Sequence, residues 1–531
     1  MIFRGPYSDV TIPEVSLTDF IFGSIDRFKD KPALIDASTG RTITYAEFAV
    51  AVRRVAASLA QRGFRKGDVL AIFSPNCPEY AIAFHAVAML GGITSPLNPL
   101  YTGEEAAFQL KDAGARFMVT APIIIEKALD AAGRAQIEET FVFGEAANAT
   151  PFSALLESDG EVPKVEIDPR NDLVALPYSS GTTGLPKGVM LTHHNLVANM
   201  CQMDGLDYFR SNDILLCVLP LFHIYGLVVV LNMGLHLGAT IVVMPRFDLE
   251  HFLSLIQQYH VTMSHIVPPI VLKLAKDPLV DNYDLSSLNM IFSGAAPLGS
   301  ELSLECMDRI GCGIRQGYGM TETSPVTHTS PADPAKMKHG SVGTAAPNTE
   351  CKLVDPATGE ELGPNQEGEV CVRGPQNMKG YLNNPEATAR TIDADGWLHT
   401  GDIGYADEDG HFFIVDRVKE LIKYKGFQVA PAELEAILLT HPAVADTAVI
   451  PCRDDEAGEI PKAFVVLKGE ASPAEIMEFV AARVAPHKKV RELEFIDQIP
   501  KSLSGKILRR VLVQAEREKH AAKQLTAEIN S

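Results

Sequence analysis

The stretch YSSGTTGLPKGV, Tyr178–Val189, gathers three glycines, four Ser/Thr hydroxyls and one lysine into twelve residues. Loop N–H groups, short hydroxyls and an ammonium are the groups that hold phosphate oxygens. The Walker pattern Gly-x4-Gly-Lys-[ST] is absent from the chain, and here Lys187 precedes Gly188 instead of following it. LVALPY before the loop and GVMLT after it both read as strands, and the helical signal begins only near Thr192. The loop therefore joins strand to strand, with no helix N-terminus to lend its dipole. Anion binding falls to the loop N–H groups, to Ser179, Ser180, Thr182 and Thr183, and to Lys187. An isolated tract of this kind is more often a polar hairpin tip, so the rest of the chain has to decide.

At 531 residues the chain exceeds one ordinary core and calls for at least two domains. Its 46% hydrophobic and 21% charged residues are those of a soluble globular protein. A formal charge of −20 argues against a general nucleic-acid or anionic-membrane binder. It leaves room for a small anion held by local cations. The N-terminal MIFRGPYSDVTIPEVSL lacks the apolar run of a signal peptide. The most apolar stretch, 226–244, is interrupted by Asn232 and His236 and reads as a buried element, not a membrane span. The eight cysteines are scattered without a Cys-x-x-Cys, which favours buried free thiols over zinc or disulfides. The expected compartment is the cytoplasm.

Helices and strands alternate through the first part of the chain. Thr44-x-x-Glu47 is a capping box opening a helix with apolar Phe48, Val52, Val55 and Leu59 on one face. VLAIFS reads as a strand, PEYAIAFHAVAML as a helix, Thr102-x-x-Glu105 as another helix start, and RFMVT as a strand. This order predicts an α/β architecture with mostly parallel sheets. From about Cys351 the pattern becomes strands and turns. After VDRVKELIKYKGFQV a compact helix–strand–strand–helix–strand tail predicts a small α+β unit of its own. The boundary is expected near Asp416–Lys419, and the charged last twenty or so residues are expected to fray.

YSSGTTGLPKG, FHIYG, SGAAPLG, QGYGMTE, GEVCVRG, GWLHTGD, VDRVKELIKYKGFQVAPAELE and PKSLSGKILRR occur in this order along the chain. Together they resemble the adenylate-forming superfamily of acyl-CoA synthetases, luciferases and peptide-synthetase adenylation domains, nearest its 4-coumarate–CoA ligase branch. The resemblance implies that ATP activates a carboxylic acid as an acyl-adenylate, and that coenzyme A then displaces AMP to give a thioester. It also implies a multi-subdomain N-terminal domain (1–416), a hinge (417–419) pivoting at Lys419, and a C-terminal lid (420–531). The expected partners are a small carboxylic acid, ATP, Mg²⁺ and coenzyme A, with no nucleic acid and no stable membrane insertion, in a monomer or homodimer.

By the same resemblance, Ser179, Ser180, Gly181, Thr182, Thr183, Gly184 and Lys187 clasp the β- and γ-phosphates. Thr321 touches the α-phosphate and Glu322 holds Mg²⁺. Tyr318 stacks on adenine against the wall of Gly294, Ala295 and Ala296, and Gln316, Gly317 and Gly319 are further ATP/AMP-binding positions. Asp402 accepts the ribose hydroxyls and Arg417 assists. Lys506, carried on the lid, bridges the carboxylate and the α-phosphate, and His223 stands at the carboxylate entrance. Rotation at the hinge exchanges Lys506 for the strand with Lys423, Lys425, Gly426 and Gln428, while Arg246 meets the coenzyme A phosphates.

The implied acyl pocket is Tyr225, Gly226, Val229, Asn289, Gly294, Gly319, Pro325 and Val326. An aromatic wall facing small residues suits a flat aryl or cinnamyl group, with Gly226 and Val229 expected to add room and Asn289 a neutral hydrogen-bonding group. Few charges there disfavour a dicarboxylate. A medium- or long-chain fatty acyl-CoA synthetase and a luciferase-like monooxygenase share every nucleotide motif and stand as alternatives. A silent adenylate-binding protein is disfavoured by the presence of Lys506, Glu322 and Asp402. A peptide-synthetase module is disfavoured because only about twenty-five residues follow Lys506.

Overall fold

The computed structural model describes residues 1–179, 186–417, 420–425, 427–454, 457–502 and 505–529, with the side chains of 427, 428 and 520–529 outside the description. The loop positions Ser180, Gly181, Thr182, Thr183 and Gly184, the pivot Lys419, Gly426 and the side chain of Gln428 lie outside the described residues.

Two nine-stranded sheets dominate the chain up to about residue 382 among the described residues. In one, the central strands Pro32–Asp36, Thr240–Val243, Ile214–Cys217, Met263–Ile266, Met290–Ser293 and Gly313–Gly319 run parallel. The other is parallel through Val69–Phe73, Ile93–Leu97 and Ala115–Thr120, and turns antiparallel at Lys187–Thr192. Fully buried strands such as Val69–Phe73 carry unbroken apolar runs because helices cover both faces. Both expected capping boxes form: Thr44 and Glu47 open Tyr45–Gln61, and Thr102 and Glu105 open Gly103–Asp112.

A five-stranded antiparallel sheet follows, Glu350–Val354 to Phe412–Arg417. The C-terminal part holds a separate five-stranded sheet over its own apolar cluster of Ile422, Leu434, Val449, Val465 and Ile476. No described helix is long and apolar enough to cross a membrane; the apolar run at 226–244 folds as buried π-helix and α-helix followed by strand Thr240–Val243.

The end of the chain departs from expectation. Residues Arg509–Ile529 form a helix instead of fraying. Leu512 is buried with Ile450 and Phe464, and Glu516 meets Lys462 at 2.8 Å. Those partners lie on distant strands, so a local reading of the charged tail could not register them.

Candidate active site

The flanks of the opening loop pair as antiparallel strands, Lys187 opposite Ser179 and Gly188 opposite Tyr178. The loop is therefore carried by a hairpin with a lysine at its exit. The Lys187 ammonium lies 4.1 Å from the centroid of the Tyr381 ring. The Tyr381 hydroxyl in turn donates to Glu322 Oε1 at 2.8 Å. Glu322 is 5% exposed on the short 3₁₀ turn Thr321–Thr323, with Thr321 half-buried beside it.

Next to this corner the strand Met290–Ser293 ends opposite Gln316, and its parallel neighbour Gly313–Gly319 runs three residues further, leaving the crevice at the carboxyl ends where ligands bind in such sheets. Past those ends stand Gly294, buried, and Ala295, exposed with φ +68°. The Gln316 side-chain amide donates to the Leu298 carbonyl at 3.2 Å and pins the loop carrying Ala296. The Tyr318 hydroxyl donates to Asp402 Oδ2 at 2.6 Å, while Arg417 Nε lies 3.2 Å from Asp402 Oδ1. Asp402 and Arg417 are directly paired across neighbouring strands, which explains the contact. Sequence reasoning missed what holds Asp402 in place. Glu369 accepts the Gly401 N–H at 2.9 Å and lies 2.9 Å from His399 Nδ1. Gly401, at φ +71°, sits at an irregularity inside the strand Leu398–Ala406, one residue before Asp402.

Lys506 enters this cleft from the C-terminal part. It sits on a short hairpin where Lys501 bridges Ile507, and its N–H donates to Ser502 Oγ at 3.1 Å. Gly505, at φ +76°, lets the hairpin press on the large domain: a Cβ there would come within 2.9 Å of Val267. Burial, reinforced by the Arg417 guanidinium, draws the Lys506 ammonium down to about 8, against the pull of Glu420 and Asp402. Arg509, three residues on, anchors the segment through Glu435 at 2.7 Å and through Glu420. His223 is close enough for Lys506 to depress its basicity further after burial, to about 4, so the imidazole is neutral at physiological pH. Its Nδ1 accepts the Tyr225 N–H at 3.3 Å.

Below His223 runs an apolar pocket. Tyr225, Val229, Gly294, Gly319, Pro325 and Val326 all line it. Tyr225 opens a stretch of π-helix, Tyr225–Asn232, whose wide turn sets Tyr225 and Val229 on one face. Gly294 makes room for that ring, because a Cβ there would lie 2.9 Å from Tyr225 Cε1.

Two expected pocket residues do not line it. Asn289 is exposed just before the strand Met290–Ser293, while Phe292, three residues on, is buried and lines the cavity. A side chain on Gly226 would meet the Pro220 carbonyl oxygen at 2.4 Å, so this glycine serves backbone packing and adds no room to the pocket. Met203, Leu206, Tyr208, Phe209, His265 and Thr329 also line the pocket and were not anticipated. The aromatic pair at 208–209 and a histidine inside the strand MSHI were the available signals. No Asp, Glu, Lys or Arg is among the described lining residues.

Arg246, Lys423 and Lys425 are exposed. It is Lys506 that occupies the cleft.

Comparison with known proteins places this geometry. Residues 22–382 match the AMP-binding enzyme family and residues 433–506 match the AMP-binding enzyme C-terminal domain. The chain is 48% identical over 529 residues to a 4-coumarate–CoA ligase of Vanilla planifolia, covering 96% of each. It is 49% identical over 521 residues to one of Pinus taeda, covering 96% of this chain and 97% of that one. An anthranilate–CoA ligase in complex with anthranoyl-AMP superposes with a TM-score of 0.88 at 26% identity, covering 96% of this chain and 98% of that chain. ATP-bound MatB from Rhodopseudomonas palustris gives 0.86 at 30% identity, covering 95% and 99%. With Lys506 half-buried beside a tyrosine-bonded aspartate and both family segments matched, the chain belongs to the AMP-binding enzymes.

Proposed function

We propose that the protein is an AMP-forming acid–CoA ligase that joins 4-coumarate, or a related hydroxycinnamate, to coenzyme A by way of an acyl-adenylate. The observation that carries this reading is the position of Lys506, where the apolar pocket meets the Asp402–Tyr318 pair. The names of the full-length relatives and the anthranoyl-AMP held by a structural neighbour support it.

In the first step a carboxylate oxygen of the acid attacks the α-phosphorus of ATP, and the bond to pyrophosphate breaks. Both reactants are anions, so catalysis needs cations and donors converging on the α-phosphate. Lys506 is placed to neutralise the carboxylate and the α-phosphate together. The neutral His223 ring can orient the acid without competing for it as a second cation. Asp402 keeps lone pairs for ribose hydroxyls, and the Tyr318 ring can cover adenine while its hydroxyl stiffens Asp402. Thr321 and the hydroxyl loop, with Lys187, hold the phosphate chain. Glu322 has one oxygen taken by Tyr381 and the other free for a hard cation, a donor set that fits Mg²⁺ completed by phosphate oxygens and water. The ion would supply charge neutralisation for the departing pyrophosphate.

In the second step the coenzyme A sulfur attacks the acyl carbon, the thiol proton is released, and the bond to AMP breaks. The exposed Lys423, Lys425 and Arg246 are the cations available to that substrate once the lid (420–531) turns about 417–419.

The test is acid-dependent AMP formation with coenzyme A across aryl and alkyl acids. The reading expects 4-coumarate to have the higher kcat/KM, and a higher value for octanoate overturns the aryl assignment in favour of a fatty acyl ligase.

The Lys506 environment adds a pH prediction. The active form is the ammonium, and its loss is brought down from the ordinary 10.5 to about 8. Adenylation kcat/KM, which reports the free enzyme, should therefore fall above about pH 8. Lys506→Arg keeps its charge, so it should be slower but hold its rate to higher pH. A wild-type profile flat from about pH 7 to about pH 10 would reject this account.

A further inference from the structure

We infer that His265 is a specificity-determining residue that hydrogen-bonds a hydroxyl carried by the acid at the end remote from its carboxylate. The inference deepens the aryl-acid reading above and rests on it.

His265 lies in the strand Met263–Ile266, directly paired with Phe292 on the neighbouring strand. Its ring is 5.1 Å from that of Phe292 and 5.5 Å from that of Phe209, nearly coplanar in orientation with both (9° each), and edge-on to Tyr225 at 5.9 Å. All four side chains line the pocket. The neighbours thus offer ring faces and edges, which fix the plane of the imidazole and provide it with no hydrogen-bond partner. His265 Nδ1 is buried and unpartnered, and the residue is 2% exposed.

A buried polar nitrogen left without a partner is costly, so such a group on a residue that lines a binding cavity points to a ligand that satisfies it. Burial also draws His265 down to about 3, so the ring is neutral, with one N–H donor and one acceptor. Whichever nitrogen faces the ligand, a hydroxyl suits it, because a hydroxyl can donate to the bare nitrogen or accept from the N–H. The pocket does not suit a second carboxylate, for which no cation is present among the described lining residues.

The position along the pocket selects the remote end of the acid. His223 stands on the loop beyond strand Ile214–Cys217, at the end reached by Lys506. His265 belongs to the body of the sheet, one residue before the Ile266–Ser293 pair from which the glycine wall at Gly294 departs. An acid whose carboxylate meets Lys506 and His223 directs its far end toward His265. In the free enzyme a water molecule can serve the ring, and a substrate hydroxyl that displaces it must reproduce its bonds.

The experiment compares 4-coumarate with cinnamate, which differ by one ring hydroxyl, alongside octanoate. Wild-type kcat/KM should favour 4-coumarate over cinnamate by about ten-fold or more. His265→Phe keeps a ring that can pack against Phe209 and Phe292 but cannot hydrogen-bond, and should erase most of that ratio. His265→Asn or His265→Gln, which keep a donor and an acceptor, should restore part of it. A wild-type ratio near one overturns the inference without any variant. So does a His265→Phe enzyme in which both acids fall together, because that is the mark of a purely structural ring. Turnover of octanoate with neither aryl acid used overturns the aryl reading and takes this inference with it. Turnover of both aryl acids with an unchanged ratio overturns the inference alone.

Discussion

Lys506→Ala is expected to slow acyl-adenylate formation by about 10²-fold or more, while the thioester step from supplied acyl-adenylate loses much less. The magnitude follows from removing one preorganised cation from a site where negative charge gathers, about 2.7 kcal/mol for each hundred-fold. The asymmetry follows from the proposed turning of the C-terminal part. Lys506 belongs to a hairpin pressed on Val267, and Arg509 ties the following helix to Glu435 and Glu420 within the C-terminal part. Glu435 also accepts the Val449 N–H, which fastens the pair to that part's own sheet. These contacts fasten the lysine's segment to the C-terminal part. On the proposed reading, in which that part turns as a lid to admit coenzyme A, Lys506 would leave the reacting atoms and its absence would no longer matter to them. Pyrophosphate exchange reads the first half-reaction alone, and release of AMP from synthetic acyl-adenylate plus coenzyme A reads the second. Equal losses in both would mean that Lys506 supports the fold or the lid and not the α-phosphate.

Much of this arrangement was legible in the chain before the structure. Capping boxes at Thr44 and Thr102 depend on residues three apart, and both form as read. The strand–loop–strand reading around Ser179 and Lys187 rested on local patterning and on the failure of the Walker spacing, and the flanking strands do pair. What was not legible depends on pairing across the fold. Whether Asn289 or Phe292 reaches the pocket is decided by which end of a parallel strand abuts the cavity, and the residue types alone are silent on that. Gly226 looked like added space because a glycine in a pocket motif invites that reading. Its missing side chain points instead at the Pro220 carbonyl. His265 stands in a strand whose other residues are ordinary for a core, and only the three aromatic neighbours from three other segments turn it into a polar group with nothing to bond. The Tyr318–Asp402 bond spans 84 positions and joins two expected nucleotide contacts into one unit.

Gly319→Ala should abolish activity far more thoroughly than Gly317→Ala, although both glycines belong to the same QGYGMTE stretch. Strand Gly313–Gly319 pairs antiparallel with Val326–Thr329, and the register shifts between Tyr318 and Gly319. The shift brings the Pro325 carbonyl over Gly319, so a Cβ there would lie 1.8 Å from Pro325 O and 2.7 Å from Pro325 C. These are backbone atoms and cannot rotate aside. The same carbonyl accepts the Met320 N–H at 3.1 Å and the Thr323 hydroxyl at 2.6 Å, so displacing it loosens the turn that carries Thr321 and Glu322. Pro325 and Val326 would move with it, and with them one wall of the acyl pocket. At Gly317 a Cβ would meet only the His328 carbonyl, at an ordinary 3.4 Å. Displacements near 1 Å at reacting groups cost on the order of 10²-fold in rate, which sets the expected loss for Gly319→Ala in pyrophosphate exchange. A lower Tm should accompany it, since the clash must be relieved by breaking those two hydrogen bonds, whereas Gly317→Ala should melt close to the wild type. Equal losses at the two positions would mean that the motif's glycines are needed for ligand approach in general, and that the Pro325 carbonyl is not what forbids a side chain at 319.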